Sequence, residues 1–201
     1  MSLALPAGIT LYFARHGQTE ANVEKRFSGF KDTPLTPLGL GQAASVGHIL
    51  KRELGAANGF GFVASPLARA VATMRIARQA MGLPADGFVT DNRLKEINLG
   101  IWDQLTDEEA RALSPVLFAQ RGNDKWHVRV PGGENYAEVA ARLTDWVHEL
   151  KQDTIAVSHG AAIRILRGLL AGLDWRAMSA LDEPQGVVFR CIGSDVTRLD
   201  P

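Results

Sequence analysis

Two short apolar runs in this chain end the same way, and that pairing limits the fold more than any other feature. Ile9-Thr-Leu-Tyr-Phe13 leads into Arg15-His16-Gly17, and Thr154-Ile-Ala-Val-Ser158 leads into His159-Gly160. Both runs read as short buried strands. A strand that opens directly into His-Gly puts an imidazole at its carboxyl end, where ligands bind in α/β sheets. Gly17 is expected to let the backbone approach a ligand or to turn with positive φ. Thr19 is placed to cap a following helical turn, and Asn22 to hydrogen-bond an oxyanion.

Between these strands the pattern alternates. Thr36 as N-cap and Pro37 open a helix in which Ala43, Val46, Ile49, Leu50 and Leu54 recur at helical spacing, and Gly55 ends it. A second strand is expected over 59–64. Ser65 as N-cap and Pro66 then start a helix that reaches Met81, before Gly82 and Pro84. Arg69 falls in its first turn, where the helix dipole disfavours a cation; a bound phosphate accepting from Arg69 and the helix-end N–H groups would compensate.

A third short strand covers 88–90. Residues 106–150 read as helical in two parts, broken at 126–134, with Tyr136, Val139, Ala140, Leu143, Trp146, Val147 and Leu150 as a core stripe. After strand 154–158 comes a helix over 161–171, then a hairpin of 186–192 and 195–199 about Gly193-Ser194. The alternation predicts one α/β domain, residues 1–201, with a largely parallel sheet. His48 and His148 are expected at the surface; His127 is a candidate for a pocket wall.

Lys plus Arg total 22 and Asp plus Glu total 22. That balance argues against a nucleic-acid or anionic-membrane partner, which calls for a basic excess. The lone cysteine, Cys191, excludes an internal disulfide, fits a reducing cytoplasm, and sits in an alternating run as a small core residue. The N-terminal stretch to Pro6 lacks the basic region and apolar length of a signal peptide, and part of it fits a vector-derived scar. No apolar stretch reaches membrane-spanning length.

Arg15-His16-Gly17-Gln18-Thr19-Glu20-Ala21-Asn22 resembles the signature of the histidine phosphatase superfamily, which includes the cofactor-dependent phosphoglycerate mutases. Arg26-Phe-Ser-Gly-Phe-Lys-Asp32 and Leu35-Thr-Pro-Leu-Gly-Leu-Gly-Gln-Ala43 resemble that family's next two segments, in order. Ser65-Pro-Leu-Ala-Arg69-Ala70 is similar to the segment with its second phosphate-binding arginine. Leu94-Lys-Glu96, with Gly100 and Trp102 after it, resembles the segment whose Glu donates a proton. Pro131-Gly-Gly-Glu134 looks like a loop of the phosphatase branch, and Val157-Ser-His159-Gly160 like the second catalytic histidine. Asp103-Gln104 depart from the usual Glu-Gly after Trp102, so that loop is expected to take a different path.

The resemblance spans residue 9 to about 192. It implies a phosphoglycerate mutase-like, three-layer α/β/α sandwich with the site above the strand ends. It also implies that His16 is the nucleophile, Glu96 the proton donor, and Arg15, Arg69 and His159 the groups that stabilise the transferring phosphoryl. Arg15, Asn22, Ser28, Gly29, Arg69, His159 and Gly160 would contact the substrate, a small phosphorylated metabolite. The chemistry supports those roles. Forked guanidinium donors match phosphate oxygens, and a neutral imidazole is available near pH 7. A covalent intermediate splits one hard displacement into two. No metal or other cofactor is called for; a single Cys and no close-spaced His pair argue against zinc. The chain lacks an Arg-Arg pair of the kind mutases use for the substrate carboxylate; Arg111, Arg121, Lys125 and Arg129 are scattered. A phosphomonoesterase is therefore expected, with a mutase as the same-chemistry alternative and a turnover-free phosphate-binding module as the non-enzymatic one. Oligomeric state is not written in the sequence.

Overall fold

The computed structural model describes residues 3–201; Met1 and Ser2 of the N-terminal stretch lie outside them. Its strands are β1 (Thr10–Arg15), β2 (Gly61–Ala64), β3 (Val89–Thr90), β4 (Thr154–Ser158), β5 (Val188–Ile192) and β6 (Asp195–Leu199). The helices are α1 (Glu20–Val23), α2 (Pro37–Leu54), α3 (Ala68–Met81), α4 (Asp107–Leu113), α5 (Pro115–Asn123), α6 (Tyr136–His148), α7 (Gly160–Leu170) and α8 (Trp175–Ser179).

The strands form one sheet in the order β3-β2-β4-β1-β5-β6. β1, β4, β2 and β3 run parallel, while β5 and β6 add an antiparallel edge. Every residue of β4 is buried, as a central strand covered on both faces requires. Alternate side chains define the two faces. Tyr12, Ala14, Ile155 and Val157 join Val46, Ile49 and Leu50 of α2 and Met74 and Ala77 of α3. Leu11, Phe13, Ala156 and Phe189 join Val139, Leu143 and Val147 of α6 and Ile163 and Leu166 of α7. The result is the expected α/β/α sandwich. Cys191 is buried in the second cluster. So are Leu3 and Leu5, and Leu3 N–H donates to the Leu169 carbonyl at 3.1 Å, so this part of the N-terminal stretch is built into the core rather than appended to it.

Thr36 Oγ1 accepts from Gly39 N–H at 3.1 Å, Pro37 opens α2, and Gly55 closes it at φ +61°. Gly17 does not take a positive φ. A Cβ there would run into the backbone of Gly39, so its smallness lets the loop after β1 lie against the start of α2. α3 starts at Ala68, later than the Ser65 cap predicts. Ser65 Oγ instead accepts from Leu67 N–H within its own turn, and the helix-end N–H of Ala68 donates to Asp32 Oδ2 at 2.8 Å. Residues 106–150 hold three helices, not two. The extra break is Ser114, at φ −151°, followed by Pro115, which has no N–H to continue α4. α8 escaped the reading from sequence because it is a single short turn set by the Asp174 cap.

Candidate active site

β1 and β4 are parallel neighbours with Arg15 opposite Ser158. The residues that follow, His16 and His159, therefore emerge side by side. Their ring centroids are 5.1 Å apart, and both side chains are buried.

His16 Nδ1 lies 2.7 Å from the Gly17 carbonyl oxygen. A carbonyl only accepts, so Nδ1 carries the proton and Nε2 keeps its lone pair. Burial, then the charges of Arg15 and Arg69, hold its pKa well below the ordinary histidine value. The ring is thus neutral and oriented, with a lone pair on Nε2 that could act as a nucleophile.

His159 occupies the N-cap position of α7, and both of its ring nitrogens are buried without a partner. Burial foremost, then Arg69, His16 and Arg15, lower its pKa as well. The protonated form, which would be the better phosphoryl donor, is disfavoured by these surroundings; a bound anion would reverse that balance.

Arg15 Nη1 donates to the Glu183 carbonyl at 2.6 Å and lies 3.7 Å from its carboxylate, while its Nε is buried and unpartnered. Arg69 is 2 % exposed. Its Nη1 donates to Asp32 Oδ1 at 2.8 Å and to the Lys31 carbonyl; its Nη2 donates to the carbonyls of Ser28 and Gly29. The anion that offsets this cation at the helix start is therefore Asp32, a residue of the chain, where the sequence pointed to a bound phosphate. Only Arg69 Nε remains buried and free.

A cavity of about 420 Å³ opens beside these groups. Arg15, His16, Asn22, Ser28 and Glu96 line it. Asn22 Oδ1 accepts from Thr19 N–H and from Gln185 Nε2, which leaves its NH₂ group for another acceptor. Gly29 is not in the lining, and its N–H is spent on Asp103 Oδ1 at 2.8 Å. Gly160 begins α7, next to Glu183. His127 is exposed and bonded to Asp124, and it lies outside the lining of this cavity.

Glu96 is 8 % exposed. Its carboxylate accepts from Ile97 N–H at 2.9 Å and, at 3.3 Å, from Ala161 and Ala162 N–H in the first turn of α7. Burial, then the nearby Glu183, raises its pKa against the opposing pull of the Ile97 N–H, Arg69 and Arg15. That suits a group that must hold a proton.

The loop after Trp102 shows what the Asp103-Gln104 departure does. Asp103 accepts from the N–H groups of Gly29, Phe30 and Lys31 and so secures the loop that also holds Arg69. Gln104 takes φ +75°, a conformation that suits the family's usual glycine better. Glu134 accepts from Asn98 N–H and Arg142 Nε, and Arg142 Nη2 donates to the Glu96 carbonyl at 3.1 Å. The Pro131–Glu134 turn thus braces the Glu96 segment from behind.

Sequence reasoning missed the segment 182–185. Glu183 pairs with Arg164 Nη2 at 2.9 Å, and Gln185 Nε2 reaches the His16 carbonyl at 3.0 Å. Neither residue belongs to a periodic pattern or a motif, so no local signal marks them. Among the described residues, no group of three or more His, Cys, Asp or Glu is placed to hold a metal ion.

A family model, the histidine phosphatase superfamily (branch 1), matches residues 11–190. The chain belongs to that superfamily. A 2,3-bisphosphoglycerate-dependent phosphoglycerate mutase of Methylobacterium radiotolerans is 33% identical over 93% of this chain and 91% of its own length. Among solved structures, Bacillus stearothermophilus YhfR superposes with a TM-score of 0.78 at 28% identity, covering 94% of this chain and 95% of that one. A mycobacterial glucosyl-3-phosphoglycerate phosphatase in complex with VO3 gives 0.74 at 29% identity, covering 96% and 98%. In this histidine phosphatase superfamily chain, a neutral imidazole, a second imidazole and two guanidinium groups converge beside a buried carboxyl. That set can bind an oxyanion, attack it and protonate what leaves. Among the described residues, no helix is long and apolar enough to cross a membrane.

Proposed function

We propose that this protein is a phosphomonoester hydrolase that acts on a small phosphorylated metabolite through a phospho-His16 intermediate. The observation that supports this most directly is the set of buried nitrogens without partners beside His16: Arg15 Nε, Arg69 Nε and both ring nitrogens of His159. Buried donors are nearly always satisfied, and each one left bare costs about 1–3 kcal/mol. A phosphoryl group brings acceptor oxygens for the two guanidinium nitrogens and for the protonated ring nitrogen of His159.

In this reading Arg15, Arg69, Asn22 and His159 neutralise the transferring phosphoryl group, the largest task in such a transfer. His16 Nε2 attacks phosphorus, and the Glu96 carboxyl gives its proton to the departing oxygen. Water then attacks phospho-His16, with Glu96 as base. Ser28, on the cavity wall, is a further substrate contact. Hydrolysis is favoured over transfer by the absence of an Arg-Arg pair and by the Pro131–Glu134 turn. The similarity to a glucosyl-3-phosphoglycerate phosphatase agrees with it.

The mutase relative supports a second reading, phosphoglycerate mutase activity. Base quenching during turnover, followed by peptide mapping, should find phosphate on His16; phosphate on Ser28 or His159 with His16 clean would overturn the assignment. Phosphate release should also exceed conversion of 3-phosphoglycerate to 2-phosphoglycerate in the presence of the bisphosphate primer. The opposite ranking would make this a mutase, and no turnover of either kind would leave a phosphate-binding module.

A further inference from the structure

Residues 181–186 lie between α8 and β5 and have no helix or strand of their own, yet side chains from three elements hold their backbone. Arg164 of α7 donates to the Leu181 carbonyl at 2.8 Å, Arg15 of β1 to that of Glu183 at 2.6 Å, and Ser45 of α2 to that of Gly186 at 3.0 Å. Gln185 is carried between the last two anchors. Its Nε2 meets two oxygens, the His16 carbonyl at 3.0 Å and Asn22 Oδ1 at 3.1 Å. Gln185 itself is outside the cavity lining, and no step of the phosphoryl transfer calls on it.

The two amides have one consistent orientation. A carbonyl oxygen only accepts, so the Gln185 atom facing His16 is the NH₂ nitrogen. The second hydrogen of that nitrogen meets Asn22, so the Asn22 atom facing it is the oxygen. Thr19 N–H, 3.1 Å from the same atom, demands the same. With Oδ1 held by two donors, the Asn22 NH₂ is the group left for the cavity that Asn22 lines beside Arg15 and His16. An unheld amide can present either its oxygen or its NH₂ to a phosphoryl group, and the wrong one sets acceptor against acceptor. The other contact steadies the main chain of the nucleophile. Gly17 N–H donates to Thr73 Oγ1 at 3.1 Å, and the Gln185 bond to the His16 carbonyl holds the remaining polar atom of the peptide that joins His16 to Gly17.

We propose that Gln185 is a positioning residue: its one NH₂ group ties the His16 main chain to the Asn22 amide and holds Asn22 with its donor, not its acceptor, toward the phosphoryl group. Gln185 acts through Asn22 and touches no reacting atom. This rests on the hydrolase reading, because the role is defined by a phosphoryl group held at His16.

The test is a double-substitution cycle read by calorimetric binding of phosphate and vanadate. Gln185→Met, which keeps the length and loses the donor, should weaken both anions by about 3- to 10-fold, the range for one neutral hydrogen bond. Made together with Asn22→Ala, it should cost no further affinity, because the group it orients is gone. Its kcat/KM for nitrophenyl phosphate should fall at least as far as its anion affinity, since the His16 main chain is loosened too. Gln185→Glu is nearer in shape but sets a carboxylate against two oxygens. It should draw the Asn22 NH₂ to itself and lose more affinity than Gln185→Met, where a packing role predicts the reverse order. Most of that excess should vanish beside Asn22→Ala, whereas plain repulsion of the anion by the added charge would persist there. Losses that multiply in the double variants, or unchanged anion binding in Gln185→Met and Gln185→Glu, would overturn the proposal, while turnover by the wild type would leave the hydrolase reading standing. A wild type that binds vanadate but releases no phosphate from any monoester sinks the hydrolase reading, and the binding cycle still decides Gln185. A wild type that binds neither anion sinks both.

Discussion

Acid should destabilise this protein earlier than its carboxylates alone would dictate, because His16 and His159 are buried and neutral. Burial comes first among the causes in both, and neighbouring cations add to it. Their folded pKa values lie well below that of the unfolded chain, about 6.5. The stabilising contribution is therefore complete above pH ~6.5 and is lost as the pH falls towards the folded values. Between about pH 7.5 and 5.5 each histidine in the unfolded chain gains nearly one proton that the folded form refuses, worth on the order of 3 kcal/mol for the two together. Glu96 works in the opposite sense: its raised pKa gives a contribution present below the unfolded carboxyl value and lost as pH rises, so it offsets part of the effect on acidification. The histidine share is isolated by comparing the wild type with His16→Gln/His159→Gln, which keeps Glu96. Urea unfolding in phosphate-free buffer at both pH values gives the free energies. The wild type should lose ~3 kcal/mol more than the double variant on going to the lower pH. Equal losses would mean that the two rings are already protonated or solvated in the fold, and the neutral-nucleophile argument would fall with them.

Glu96→Gln should slow phospho-His16 formation from alkyl phosphates by about 10²–10⁴-fold and from nitrophenyl phosphate much less, since a nitrophenolate leaves without a proton; equal losses in single-turnover assays would reduce Glu96 to a pocket wall. Arg69→Ala should cost about 3–4 kcal/mol of transition-state stabilisation and most of the affinity for vanadate. It should also loosen residues 28–32, which Arg69 and Asp103 hold together; near-normal kcat/KM and vanadate inhibition would exclude Arg69 from the anion pocket. Gln104→Gly should stabilise the fold by about 0.5–1 kcal/mol, as relief of the left-handed backbone outweighs the entropy of glycine. A lower urea midpoint in that variant would show that the Gln104 side chain contributes more than its strained backbone costs.

The parts of the site that the sequence revealed lie next to a secondary-structure signal. Arg15-His16 follows an apolar strand, His159-Gly160 follows another, and Arg69 sits in a helix start marked by Ser65-Pro66. Thr36, Pro37 and Gly55 placed α2 to the residue, because caps and a proline act within one turn of themselves. The shorter elements slipped for the same reason. α3 takes its cap from Asp32, far from it in sequence, and no local pattern announces a cap supplied by another loop. Family resemblance supplied Glu96, which composition and spacing alone would have left as a solvent-facing carboxylate.

By itself, then, the sequence determined the alternation of strands and helices, the two strand-end histidines and the list of groups able to handle a phosphoryl ester. Local propensity and side-chain period are short-range properties, and they are written within a few residues. Only the tertiary structure decided which His16 nitrogen is free, because that depends on where the Gly17 carbonyl points. It alone joined Glu183 to Arg15 and Arg164, Asp32 to Arg69, and Asp103 to the loop at 29–31. It alone left Arg121 bare in the cavity wall. Such charges meet across long stretches of chain, and the burial that leaves some of their nitrogens without a partner exists only after the sheet and its two helical layers have closed around them.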